Sequence, residues 1–181
     1  SADLERAAAD DAERPPEIWI HDAASANTRQ VADPANSNDR SVSSAYKNAQ
    51  DILRFYKDVL GRKSFDDRNG LIKIVLQCCG NNDPLLGGMW DPVAQIVKLG
   101  PAGLSRCFGD FALSAEYLCH EINHGLTNAT TAFAYLDDQE SSALNEHASD
   151  AFAMMFKHWR AWKNGAATPE SADWRFAPDV V

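Results

Sequence analysis

The sequence predicts an α+β domain: a small mixed or antiparallel sheet with one accompanying helix, followed by two long helices. Three observations carry this. Short extended pieces punctuated by prolines fill the first part of the chain. One segment between them, Asp39 to Leu60, has helical periodicity and stops at Gly61. Two further segments, about Phe111 to Ala129 and about Ser141 to Asn164, place apolar residues at helical spacing.

Taken in order, Ser1 to Arg14 is rich in Ala, Asp and Glu, reads as an amphipathic or frayed helix, and is closed by Pro15-Pro16. Residues 1–16 are therefore an acidic N-terminal extension, and 17–181 form one domain: a sheet part to about residue 110, the long helices over about 111–165, and a tail from 166. Glu17 to Ile20 and Arg29 to Ala32 read as short extended pieces between Pro15-Pro16 and Pro34. Leu71 to Gln77 is an unbroken apolar-rich run, the pattern of a buried strand. Cys79 to Gly88 is turn-rich, and Met89 to Leu99, interrupted by Pro92, reads as an edge hairpin because proline cannot donate to a ladder. The last helix ends at Gly165 and Pro169.

Composition bounds the rest. A chain of 181 residues, 45% hydrophobic and 24% charged, buries one good core. Its net charge of −9 argues against nucleic-acid and anionic-membrane partners, which call for basic surface. No window reaches the roughly 18 apolar residues of a membrane span. Cys78, Cys79, Cys107 and Cys119 are too few and irregular for a disulfide scaffold, and their pairing stays open. Cys119, about 100° around its helix from a metal-facing position, reads as a small buried apolar residue.

The chemistry concentrates at His120-Glu121-Ile122-Asn123-His124. On a helix, residues four apart share a face, so both imidazoles reach one ion at about 2 Å. Glu121 then lies beside the metal, where its carboxylate can take a proton from a water that the ion has acidified to a pKa of roughly 7. The third ligand belongs on the next helix, where Glu146 completes a His2Glu set with an open position. Asp150, one turn beyond, faces the same way and can accept the remaining N–H of a ligand histidine; Asn145 is a second polar support. His147 is rotated by about 100° from Glu146 and is not assigned to the site.

His120-Glu121-Ile122-Asn123-His124-Gly125-Leu126-Thr127, followed by Ser142-Ala143-Leu144-Asn145-Glu146 and Ser149-Asp150, resembles the thermolysin family of neutral metalloendopeptidases, protealysin-like members in particular. The resemblance runs from about Ile18 to the end of the chain. It implies a zincin fold, one catalytic Zn2+ on His120, His124 and Glu146, Glu121 as general base, Asp150 holding a ligand histidine, and Tyr135 as hydrogen-bond donor to the tetrahedral intermediate. It also implies a peptide or protein substrate and a secreted enzyme. Calcium, common in the family, would have Asp137, Asp138, Glu140 and Asn128 as oxygen donors, against the alternative of a solvated acidic loop.

Two departures stand out. Where the family has asparagine and alanine before a Phe-Trp pair on the substrate-binding edge strand, this chain reads Gly87-Gly88-Met89-Trp90-Asp91. Gly88, Met89 and Trp90 are then the candidate substrate-binding residues, with backbone contacts kept and geometry loosened by the glycines. Only 35 residues follow Glu146, so the family's C-terminal helical domain, with its substrate-facing groups, is expected to be missing or supplied by a separate chain. Three activities remain open: a zinc endopeptidase, a catalytically weak zinc-binding homologue acting as a binding or inhibitory module, and a half-enzyme awaiting that second chain.

Overall fold

A computed structural model describes residues 14–24, 28–78, 85–103, 109–131, 139–166, 168 and 171–178. Five strands, β1 (Ile18–Asp22), β2 (Arg29–Gln30), β3 (Ile72–Leu76), β4 (Gly88–Asp91) and β5 (Ile96–Leu99), form one sheet in the order β2-β1-β3-β5-β4. The sheet is mixed: β1, β3 and β5 run parallel, while β2 and β4 pair antiparallel at the two edges. Parallel neighbours need a crossover, and α1 (Arg40–Leu60) supplies the one between β1 and β3.

Asp39 caps α1 by accepting from the amides of Ser41 and Val42, and Gly61 ends it in the left-handed conformation at φ 66°. Val42, Ala45, Ala49, Ile52, Phe55 and Tyr56 form its buried stripe. They pack with Ile20, Ile72, Ile74, Val97 and Leu99 of the sheet in a single core. The paired register Ile18 with Ile72, Ile20 with Ile74, and Ile74 with Val97 stacks these side chains across the strands.

The long helices are α2 (Ala115–Thr130) and α3 (Gln139–Lys163). Helical periodicity places the start of α2 at Phe111, but Phe111–Leu113 is a separate 3-10 turn capped by Asp110. Extended Ser114 (φ −84°, ψ 114°) breaks the run and caps α2 by accepting from the Tyr117 amide at 3.2 Å. Cys119 is fully buried on α2, as a small apolar residue would be. Among the described residues no helix is long and apolar enough to cross a membrane. The N-terminal stretch to residue 13, Tyr135, Asp137, Asp138, Cys79 and Cys107 lie outside the described residues.

Two contacts bring the outer edge strand to α2. The Trp90 indole, 6% exposed, packs edge-on against Phe65 at 5.2 Å between centroids. It also presses on Gly125, where a Cβ would meet the ring at 2.8 Å, so only glycine admits this approach next to His124. Asp91 closes the β4–β5 hairpin, accepting from the Val93 and Ala94 amides at 3.0 and 2.9 Å and from the Lys98 ammonium at 2.7 Å. The Ala94 amide, then Lys98, holds its carboxyl below the usual range. A depressed acid stabilises the fold above its unfolded value near pH 4 and loses that contribution as pH falls through the folded value. Asp91→Ala is therefore expected to cost about 1–2 kcal/mol at neutral pH, a deficit that shrinks below pH 4 in urea melts.

Candidate metal centre

Helical phase alone sets the two histidines side by side: His120 and His124 lie one turn apart on α2, with their Nε2 atoms 3.0 Å from each other. Glu146 enters from α3, its Oε2 3.2 Å from His120 Nε2 and 3.7 Å from His124 Nε2. All three donor atoms lie within 4.8 Å of one another.

The other ring nitrogens explain why these atoms face inward. His120 Nδ1 is 2.8 Å from the Asp150 carboxylate. A carboxylate only accepts, so this nitrogen carries the proton and Nε2 presents a bare lone pair. His124 Nδ1–H donates to Asn145 Oδ1 at 3.0 Å, with Ser149 Oγ also 3.0 Å away, which in the neutral ring leaves Nε2 with the lone pair. Burial also pushes the His124 imidazole below its usual value, favouring the neutral ring.

Two imidazole Nε2 atoms and a carboxylate oxygen thus converge on one point, where a single cation would satisfy all three. For an ion bonded at about 2.0–2.1 Å, tetrahedral ligand atoms stand about 3.3 Å apart, the mean of the separations here. The residues fit a dication with nitrogen and oxygen donors. Asn145 and Ser149 are buried and Asp150 is exposed, so one imidazole is oriented from inside the fold and the other from its rim.

Glu121 is one residue from His120, buried on the cleft side of α2. Burial pushes its carboxyl up to about 8; hydrogen bonds from the Tyr117 hydroxyl and the Trp90 amide oppose that, and the Glu146 charge adds to it. His120, Glu121, His124 and Glu146 line one cleft of about 360 Å³ together with Gly88, Met89, Trp90 and Pro92. Gly88, Met89 and Trp90, read from sequence as substrate-binding, are therefore at the same cleft. Trp90 reaches it without its indole, which is turned into the core, whereas Met89 on the opposite pleat is exposed. A larger cavity of about 1140 Å³ beside α1 is lined by Arg54, Lys57, Arg62 and Lys63 and holds no metal-donor set among the described residues.

Sequence reasoning passed over three residues at the centre. Ser149 is one turn beyond Asn145, and Tyr117 one turn before Glu121; their helical spacing from known site residues was the available signal. Phe176 carried no such signal. It packs edge-on against the His120 ring at 5.7 Å, placed there by the tail folding back over α3 through Lys157 to Asp173 and the Arg175 carbonyl.

Comparison with known proteins matches residues 7–128 to the thermolysin metallopeptidase catalytic domain. The chain belongs to the thermolysin metallopeptidase family. It is 30% identical over 129 residues to protease PrtS of Photorhabdus sp. (strain Az29), covering 71% of this chain and 32% of that protein. To bacillolysin of Bacillus caldolyticus it is 26% identical over 145 residues, 80% of this chain and 24% of the relative. It spans only about a quarter to a third of these relatives. The fold is similar to the precursor of protealysin from Serratia proteamaculans, with a TM-score of 0.76 at 23% identity, covering 91% of this chain and 49% of that one. The α+β architecture and the thermolysin-like arrangement of sheet and helices are shared with that structure.

Proposed function

We propose that this chain is a zinc-dependent endopeptidase in which Glu121 is the general base. One observation carries the reading: three metal-donor atoms face one point, and a buried carboxyl raised by that burial to about 8 lies beside them in one cleft. His120, His124 and Glu146 would hold the ion, and the nitrogen-and-oxygen donor set with an open position suits zinc. When bound, zinc supplies Lewis-acid polarisation of the scissile carbonyl and a lowered water pKa.

The chain's own groups do the rest. Glu121 takes a proton from the attacking water and returns it to the leaving amine. Asp150 and Asn145 keep the Nδ1 protons on the imidazoles, so both Nε2 atoms stay available. Strand β4 is the sheet edge at the cleft, where an extended peptide can donate its amides to the outward carbonyls of Gly88 and Trp90. Tyr135 is assigned to the developing oxyanion by family resemblance, and calcium at Asn128, Asp137, Asp138 and Glu140 rests on the same footing. Secretion is supported by a Pectobacterium carotovorum relative, 30% identical over 79 residues, that is named an extracellular metalloprotease.

A second reading, a half-enzyme completed by a separate helical chain, is favoured by one feature of α3. Leu144, Met155 and Trp162 share its outer face and are 43%, 46% and 64% exposed. The deciding experiment loads purified chain with zinc, measures bound metal, and follows cleavage of a quenched peptide library before and after chelation. Turnover that chelator removes and added zinc restores is the expected result. Stoichiometric zinc without turnover would overturn the self-sufficient peptidase in favour of the second reading or a zinc-binding module.

A further inference from the structure

The glycine pair at the edge strand is expected to loosen the cleft, yet the space beside it is full. Gly100 N–H bonds to Gly87 C=O at 2.8 Å, so Gly87, Met89 and Asp91 are the β4 residues that bond to β5. Gly88 and Trp90 turn their backbone groups outward, to the free edge. Both outward amides have partners from one helical turn of α2. Gly88 N–H donates to the Tyr117 hydroxyl at 2.7 Å, and Trp90 N–H donates to the Glu121 carboxylate. Tyr117 in turn hydrogen-bonds Glu121, one turn along the same helix face. With its oxygen accepting from Gly88, the hydroxyl's proton is the one given to the carboxylate.

The ring occupies the room that side chains on the strand would need. A Cβ at Gly88 would stand 2.8 Å from both Leu99 Cδ2 and Tyr117 Cε1 and 3.1 Å from Glu121 Oε1. A Cβ at Gly87, whose φ of 112° already disfavours any other residue, would be 3.1 Å from the Tyr117 hydroxyl. Phe111 backs the tyrosine ring at 4.6 Å, and the His120 ring stacks on its other side at 6.3 Å.

We propose that Tyr117 is a positioning residue for hydrolysis: one hydroxyl ties the general base Glu121 to the strand edge that receives the peptide, and Gly88 is glycine because the tyrosine ring and Leu99 together fill its side-chain space. The inference rests on the endopeptidase reading and deepens it. The base and the substrate edge are held in one register by a donor that is outside the metal-donor set, and the glycines serve close packing rather than mobility.

The test uses the full chain loaded with zinc. Tyr117→Phe keeps the ring and removes the hydroxyl. It is expected to lower kcat on a quenched peptide about tenfold, the loss expected for one hydrogen bond to an ionised group, with KM changed less than about twofold and zinc content unchanged. Hydrogen exchange at the Gly88 amide should quicken by about tenfold. A general packing defect would instead lower the melting temperature and quicken exchange throughout β4. The steric half is read from a cycle: Gly88→Ala should impair the parent more than it impairs Tyr117→Ala, in which the Leu99 contact remains but the ring is gone. Parental kcat together with parental Gly88 exchange in Tyr117→Phe overturns the proposal. A zinc-loaded parent that cleaves nothing overturns the endopeptidase reading instead, and Gly88 exchange then still decides whether the hydroxyl holds the strand.

Discussion

Glu121→Gln is expected to abolish the proposed peptide cleavage, by at least about 10³-fold, while leaving bound zinc at the parental level. The expectation follows from the separation of roles at the centre. The donor atoms belong to His120, His124 and Glu146, and Glu121 contributes none of them. Glutamine has nearly the same shape, so it can still accept from the Tyr117 hydroxyl or the Trp90 amide, but it cannot take a proton from water. General-base catalysis is typically worth about 10² to 10⁴ in rate, and here the same carboxylate must also protonate the leaving amine. Equal cleavage by the variant and its parent would remove Glu121 from the mechanism. A parallel loss of zinc would mean that the substitution disturbs the ligands rather than the chemistry.

The same substitution has a second signature in chelated protein. Burial raises the Glu121 carboxyl to about 8, above its unfolded value near 4.3. For an acid raised in this way the sign reverses: the folded state resists ionisation, so a penalty appears as pH climbs past the unfolded value and saturates above the folded one. Metal-free Glu121→Gln should therefore melt above the metal-free parent at pH 8 and level with it at pH 4. Identical melting at both pH values would show that the buried carboxyl is not under that strain.

How much of this was legible beforehand depends on whether a feature is local. The candidate donor cluster was legible because helical phase puts His120 over His124 and Glu146 near Asp150, and α1 because Asp39 and Gly61 mark its ends. The strand order was not, since nothing in Leu71 to Gln77 or Ile96 to Leu99 says that β1 and β5 flank β3 in parallel. The break at Ser114 was hidden because an apolar 3-10 turn and the helix after it share one continuous hydrophobic stripe. The tyrosine beneath Gly88 was hidden for the same reason as the strand order: it bridges residues 29 apart, and its partner is known only once β4 is known to be the edge. Trp90 shows that a residue's place on a strand and the place of its side chain are separate questions. Its indole is a core residue, and only its place on β4 brings it to the cleft.

Glu146→Ala is expected to weaken zinc binding by more than the 10- to 100-fold that loss of an outer partner typically costs, on the order of 10³-fold, because it removes one of three donor atoms outright. Its consequence for stability is separable from its consequence for binding. The Glu146 side chain is 51% exposed and its helix is held by Asn145, Ser149, Ala153 and Phe156 on the buried face, so the chelated variant should melt close to the chelated parent. Zinc, by contrast, stabilises only the chain that binds it, by about 4 kcal/mol when the free ion is 1,000 times its Kd. The parent should thus show a zinc-dependent rise in melting temperature that the variant lacks at the same free zinc. A variant that binds zinc as tightly as the parent would assign the third ligand elsewhere. Loss of zinc with an unchanged chelated melt would assign Glu146 to the ion rather than to the fold.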